Sequence, residues 1–77
     1  MDIKENVIKV VAQVCETTPD QINGESTIGD FPSWDSMGQL TIIQNLEETF
    51  DIEFDPDELM DLEDVNDFIK LIEEKIE

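Results

Sequence analysis

At 77 residues, with 21 acidic against 4 basic side chains and a formal net charge of −17, the chain is short and strongly anionic. That length gives one domain, 1–77, with a small core and no room for an elaborate active site. The charge excludes nucleic acid and anionic membrane surfaces as partners and favours proteins that offer basic patches.

The basic residues are Lys4, Lys9, Lys70 and Lys75, all in the first and last segments, and there is no Arg or His. A partner approaching the middle of the chain therefore meets negative charge, a field suited to fast, salt-sensitive, short-lived docking. Cys15 is the single cysteine, so no intramolecular disulfide can form and a reducing cytoplasm is the expected location. The apolar runs are too short to span a bilayer, and Asp2 and Glu5 do not suit a signal peptide.

From Ile3 onward, Val7, Val10, Val11 and Val14 recur at helical spacing, with Ile8 and Cys15 on the flank. This predicts an amphipathic helix over about 2–16. Valine is a mediocre helix former, so burial of the stripe has to hold it. Thr18 and Pro19 mark a short turn, with Thr18 as its cap and Pro19 at its first position. Residues 21–33 read as a long irregular connection in which Gly24, Gly29 and Pro32 supply turn chemistry and Ile22, Ile28 and Phe31 supply apolar anchors. A loop of that length in so small a domain is unusual unless it packs on the helices and positions something. Trp34, the only tryptophan, is expected to close the end of the helical core beside Phe31.

A second helix is predicted over 36–50. Asp35 suits its N-cap, and Ser36 then falls in the first turn. At about 100° per residue Leu46, Ile43, Phe50 and Ile42 share one face, flanked by Leu40. Met37 projects on the opposite side with Thr41, Gln44 and Glu48, so an apolar side chain is expected on the wet face next to an exposed serine. Gly38 weakens this helix by about 1 kcal/mol relative to alanine and is expected to bare backbone beside Ser36. Ile52 and Phe54 then point inward from a short connection. Asp55-Pro56-Asp57-Glu58 opens a brief third helix over about 56–61, with Leu59 and Met60 as buried side chains. A fourth helix opens near residue 64 and presents Val65, Phe68, Ile69, Ile72 and Ile76 on one side, with Lys70 and Lys75 toward its C-terminal end.

Asp35-Ser36-Met37, with Leu40 and the run Leu46-Glu47-Glu48-Thr49-Phe50 downstream, resembles the attachment site and second helix of the acyl carrier proteins. The resemblance extends along nearly the whole chain in length, acidity and helix order. It implies an all-α, four-helix bundle with three longer helices, one short helix and a long loop between the first two. It also implies 4'-phosphopantetheine esterified to Ser36 from coenzyme A, and acyl or aminoacyl cargo held as a thioester. The partners implied are a phosphopantetheinyl transferase and acyl-loading, modifying and transferring enzymes, met by Asp35, Met37, Glu47 and Glu48 on a monomeric carrier. Met37-Gly38-Gln39 and Thr41 replace the acidic turn of many fatty-acid carriers, a pattern closer to stand-alone carriers of specialised polyketide, peptide or cell-surface pathways.

Two other chemistries fail on the residues. A nucleophilic enzyme needs a base beside its serine or cysteine, and the chain has no histidine; the nucleophile-elbow pattern also fails because Trp34 stands where a glycine is required. An EF-hand loop begun at Asp51 puts Pro56 at the turning glycine and Leu62 at the bidentate glutamate, so no specific metal site is expected. The remaining alternative is an acidic helical adaptor that binds a basic protein without a prosthetic group.

Overall fold

The computed structural model describes residues 2–76. Among the described residues four helices follow one another, α1 (Ile3–Val14), α2 (Ser36–Phe50), α3 (Pro56–Leu59) and α4 (Val65–Ile76), with a 3-10 turn at Pro19–Gln21. This is the all-α bundle expected, with three longer helices and one short one. α1 packs against both α2 and α4, so the valine stripe of α1 is the middle of the core. Val7 and Val11 are fully buried there against Ile42 and Leu46 of α2 and Val65, Phe68 and Ile72 of α4. Burying a side chain of that size contributes about 1.5 kcal/mol or more, against a helix-propensity deficit for valine of about 0.7 kcal/mol at most. Burial therefore decides, and α1 is a helix because of what it covers.

The caps set the helix boundaries. Asp2 accepts the Glu5 N–H at 3.2 Å and starts α1. α1 ends at Val14 rather than at Glu16, because Glu16 takes a left-handed conformation (φ 58°) that lets Thr17 N–H reach the Ala12 carbonyl at 3.0 Å and Glu16 N–H reach Gln13 at 3.2 Å. That is a Schellman-type stop without its usual glycine. α2 stops the same way at Asp51 (φ 55°), with Ile52 N–H bonded to the Glu47 carbonyl at 3.0 Å.

The long connection between α1 and α2 is tied to the start of α4. Val65 N–H donates to Ser26 O and Asn66 N–H to Gly24 O, both at 3.0 Å, while the Thr27 hydroxyl donates to the Glu63 carbonyl. Two of the N–H groups that a helix start leaves unpaired are thus satisfied by loop carbonyls. Asp64 accepts the Asp67 N–H at 2.9 Å and Asp67 answers the Glu63 N–H at 3.0 Å. Ser26, the one buried polar residue among the described residues, accepts the Asn23 N–H at 3.0 Å and holds the loop's own turn.

Several expectations from periodicity are corrected. α3 is four residues long, and Met60, just past its end, is 82% exposed. Leu40 is 55% exposed rather than part of the core flank, because it lies about 120° from Leu46 on the helix wheel. Ile28 is exposed rather than an anchor, while Ile22 is buried and Phe31 packs partly on the core. Ile76 is exposed in the last turn of α4 rather than part of the core face. Thr18 precedes the 3-10 turn as expected, but its carbonyl, not its side chain, accepts the Gln21 N–H at 3.0 Å.

Candidate functional site

Ser36 is the first residue of α2 and is exposed. Asp35 before it is extended (φ −107°, ψ −164°), and its Oδ1 accepts the Gly38 N–H at 2.9 Å while its carbonyl accepts the Gln39 N–H at 2.8 Å. The cap is therefore supplied by Asp35, and the Ser36 hydroxyl is not required to start the helix. Met37 is 77% exposed, and Leu40 lies one turn further along the same side. An apolar pair thus stands beside the serine on the solvent face.

Five contacts fix the ground beneath Ser36. Gly38 is buried, and a Cβ there would overlap the Ser33 carbonyl oxygen, so the loop backbone lies directly on the first turn of α2. The Trp34 indole is 0% exposed and its Nε1–H donates to Gln39 Oε1 at 2.7 Å. Gln39 Nε2 in turn donates to the Leu62 carbonyl at 3.3 Å, joining α2 to the segment that leads into α4. On the α1 side the Ser33 hydroxyl donates to Glu16 Oε2 at 3.1 Å, and Gly29 N–H bonds the Trp34 carbonyl at 2.9 Å. The loop delivers Trp34 to the core, and Trp34 sets where Asp35 and Ser36 emerge.

Asp35, Ser36 and Met37 are together at one end of α2. Glu47 and Glu48 are not with them: eleven and twelve residues further along, they stand about 16–18 Å down the helix axis. Glu47 Oε2 accepts the Phe54 N–H at 2.9 Å and so holds the α2–α3 connection, whereas Glu48 is exposed. Asp55 N–H donates to Glu58 Oε1 at 2.8 Å at the start of α3, and the same oxygen meets Lys75 Nζ at 2.8 Å. The hydrogen bond from Lys75 holds the Glu58 carboxyl below its usual range, and Glu58 raises Lys75 in return. Lys75 Nζ also lies 5.9 Å from the Phe54 ring centroid. Cys15 is buried, and burial followed by the Asp30 charge pushes its thiol up, so it remains protonated and a poor nucleophile.

Sequence reasoning missed Gln39 and misread Gly38. Gln39 falls about 20° from Leu46 on the helix wheel, within the core sector. A polar residue in that sector needs buried partners, and that was the available signal.

Comparison with known proteins agrees with this geometry. The family model described as a phosphopantetheine attachment site matches residues 5–72. The chain is 37% identical over 75 residues to the acyl carrier protein homolog of Mycoplasmopsis pulmonis, covering 97% of each chain. It is 31% identical over 74 residues to the acyl carrier protein of Caulobacter vibrioides strain NA1000 / CB15N, covering 96% of this chain and 95% of that one. Against the acyl carrier protein of Phenylobacterium zucineum the identity is 28% over 75 residues, covering 97% and 95%.

Proposed function

Because the chain belongs to the acyl carrier protein family, carriers rather than catalysts with a covalently attached 4'-phosphopantetheine, we propose that Ser36 is the residue that takes the group. The observation that carries this reading is an exposed Ser36 hydroxyl at the start of a 15-residue helix whose cap is already provided by Asp35. The residues fit the group. A phosphodiester on Ser36 sits where the helix dipole favours an anion, and the Asp35 carboxylate is engaged with the Gly38 N–H.

Ser36 Oγ attacks the phosphorus that bears the pantetheine of coenzyme A. The pyrophosphate P–O bond breaks, adenosine 3',5'-bisphosphate leaves, and the hydroxyl proton passes to a base of the phosphopantetheinyl transferase. When bound, the group supplies a terminal thiol that holds acyl or aminoacyl cargo as a thioester. Asp35 keeps the helix start closed, Trp34 and Gly38 hold it against the loop, and Met37 gives a partner enzyme an apolar contact beside the serine. Glu48, and Glu47 through its remaining oxygen, offer charge to basic docking patches further along α2.

We read residues 1–77 as one carrier domain, acting as a monomer in the cytoplasm; the single core running from α1 to α4 supports the one-domain part of that reading. No helix among the described residues is long and apolar enough to cross a membrane. The thin acidity of the first turn of α2 supports service in a specialised pathway rather than bulk fatty-acid synthesis. Intact mass before and after incubation with a broad-specificity phosphopantetheinyl transferase and coenzyme A tests the site. A gain of one phosphopantetheine in the wild type and none in Ser36→Ala is expected; an equal gain in both would move the attachment elsewhere.

A further inference from the structure

We propose that Asn23 is a self-modifying site: its carboxamide cyclises onto the Gly24 nitrogen and opens in water to aspartate or isoaspartate, and the isoaspartate unties the long loop from the start of α4. The inference concerns the chain's own backbone and stands apart from the group on Ser36.

The chain has four asparagines, Asn6, Asn23, Asn45 and Asn66. Asn6, Asn45 and Asn66 lie within α1, α2 and α4, where the helix holds the next peptide nitrogen and Val7, Leu46 and Asp67 crowd it. Asn23 stands in a loop, is exposed, and is followed by glycine, whose missing Cβ lets its nitrogen approach the carboxamide. The surrounding hydrogen bonds prepare the reaction. Asn23 Oδ1 accepts the Glu25 N–H at 2.8 Å, so a donor already points at the oxygen on which negative charge develops. The Asn23 N–H donates to Ser26 Oγ at 3.0 Å and its carbonyl accepts the Ser26 N–H at 3.1 Å, which holds its backbone on both sides. The attacking Gly24 N–H has no acceptor among the described residues.

Hydroxide takes the Gly24 N–H proton and the nitrogen lone pair forms a bond to Asn23 Cγ. The Cγ–Nδ2 bond breaks, and the side-chain nitrogen takes a proton from water and leaves as ammonia, which regenerates the hydroxide. A cyclic succinimide remains. Water entering at Cγ restores the main chain and gives aspartate; water entering at the main-chain carbonyl carbon of the same residue routes the peptide link through the side chain and gives isoaspartate. The products differ in what they do to the fold. An aspartate carboxylate still accepts the Glu25 N–H. Isoaspartate lengthens the main chain by a methylene just before Gly24, whose carbonyl accepts the Asn66 N–H, and shortly before Ser26, whose carbonyl accepts the Val65 N–H, both at 3.0 Å. Gly24 cannot shift toward α4 to absorb the added length, because even a Cβ there would overlap the Asn66 carboxamide. The loop carbonyls therefore leave α4, and its first N–H groups lose their partners.

The experiment ages the purified full chain in mildly alkaline buffer, folded and in urea, with Asn23→Ser as a control that keeps a turn-forming hydroxyl. Intact mass, peptide mapping and methylation by an isoaspartyl methyltransferase report extent, position and product, and ion exchange separates the forms. The expected result is amide-to-acid conversion at Asn23 in the folded protein at a rate comparable to that in urea, with no mass gain in Asn23→Ser over the same time. The isoaspartyl form should melt about 5 °C or more below fresh protein and exchange the Val65 and Asn66 amides faster, whereas Asn23→Asp should melt close to fresh protein. A folded rate far below that in urea would show that the turn protects Asn23, and conversion spread over Asn6, Asn45 and Asn66 would deny the site; either result overturns the proposal. An isoaspartyl form with unchanged melting and exchange would overturn the untying of the loop.

Discussion

At the scale of single residues, Gly38 separates what propensity says from what packing says. Alanine is the better helix former by about 1 kcal/mol, yet the Cβ it adds would overlap the Ser33 carbonyl. Backbone yields less readily than a side chain, so Gly38→Ala is expected to destabilise by a net of about 1–3 kcal/mol in urea unfolding; a gain in stability would show that the loop can lift from α2. Ser26 is the second such case. Its hydroxyl accepts the Asn23 N–H within a buried turn, and Ser26→Ala should cost about 1 kcal/mol by the same measurement. The placement of Ser36, Asp35 and Met37 could be read from the chain because it depends on local features, a helix start and an open face. Gln39 and the close approach at Gly38 could not, since their partners are Trp34, Leu62 and Ser33, in segments outside the helix.

At the scale of elements, α3 is too short to be a stable helix alone. It is held at its start by Asp55 N–H to Glu58 and fastened to α4 by the pair between Glu58 and Lys75 at 2.8 Å. The Glu58 carboxyl is lowered by Lys75, so its contribution is present above the ordinary glutamate range and is lost as pH falls through the lowered value. Lys75 is raised by Glu58, so its contribution is complete at neutral pH and is lost as pH rises through the raised value. The stability difference between wild type and Glu58→Gln should therefore be flat around neutrality and narrow toward strong acid. A difference that grew in acid would rule out the ion pair as its source. The third helix was legible from Asp55-Pro56-Asp57-Glu58, but its length was not, because Leu59 and Met60 look alike in sequence and only Leu59 packs on the core.

At the scale of the whole molecule, a formal charge of −17 is confined to a body 31 Å along its longest axis. At about 0.01 M ionic strength the Debye length is about 30 Å, so every carboxylate feels every other; at about 1 M it is about 3 Å and most of that repulsion is gone. The melting temperature should rise across this range and rise further with a divalent cation. A flat response to both would count against this charge argument. On the proposed reading the same field, concentrated away from the lysines, draws basic partners to α2 and weakens with salt, which suits a carrier that has to leave each enzyme it visits.

The sequence by itself determined the order of the four helices, the Asp35 cap, the acidic surface and the serine at a helix start, because each depends on periodicity, short-range hydrogen bonding or charge. Only the tertiary structure decided that the long loop closes the first turn of α4, that Trp34 and Gln39 lock the ground under Ser36, and that Glu47 holds the α2–α3 connection. Those depend on which distant carbonyl or carboxylate meets which N–H, and that pairing exists only once α1, α2 and α4 have packed.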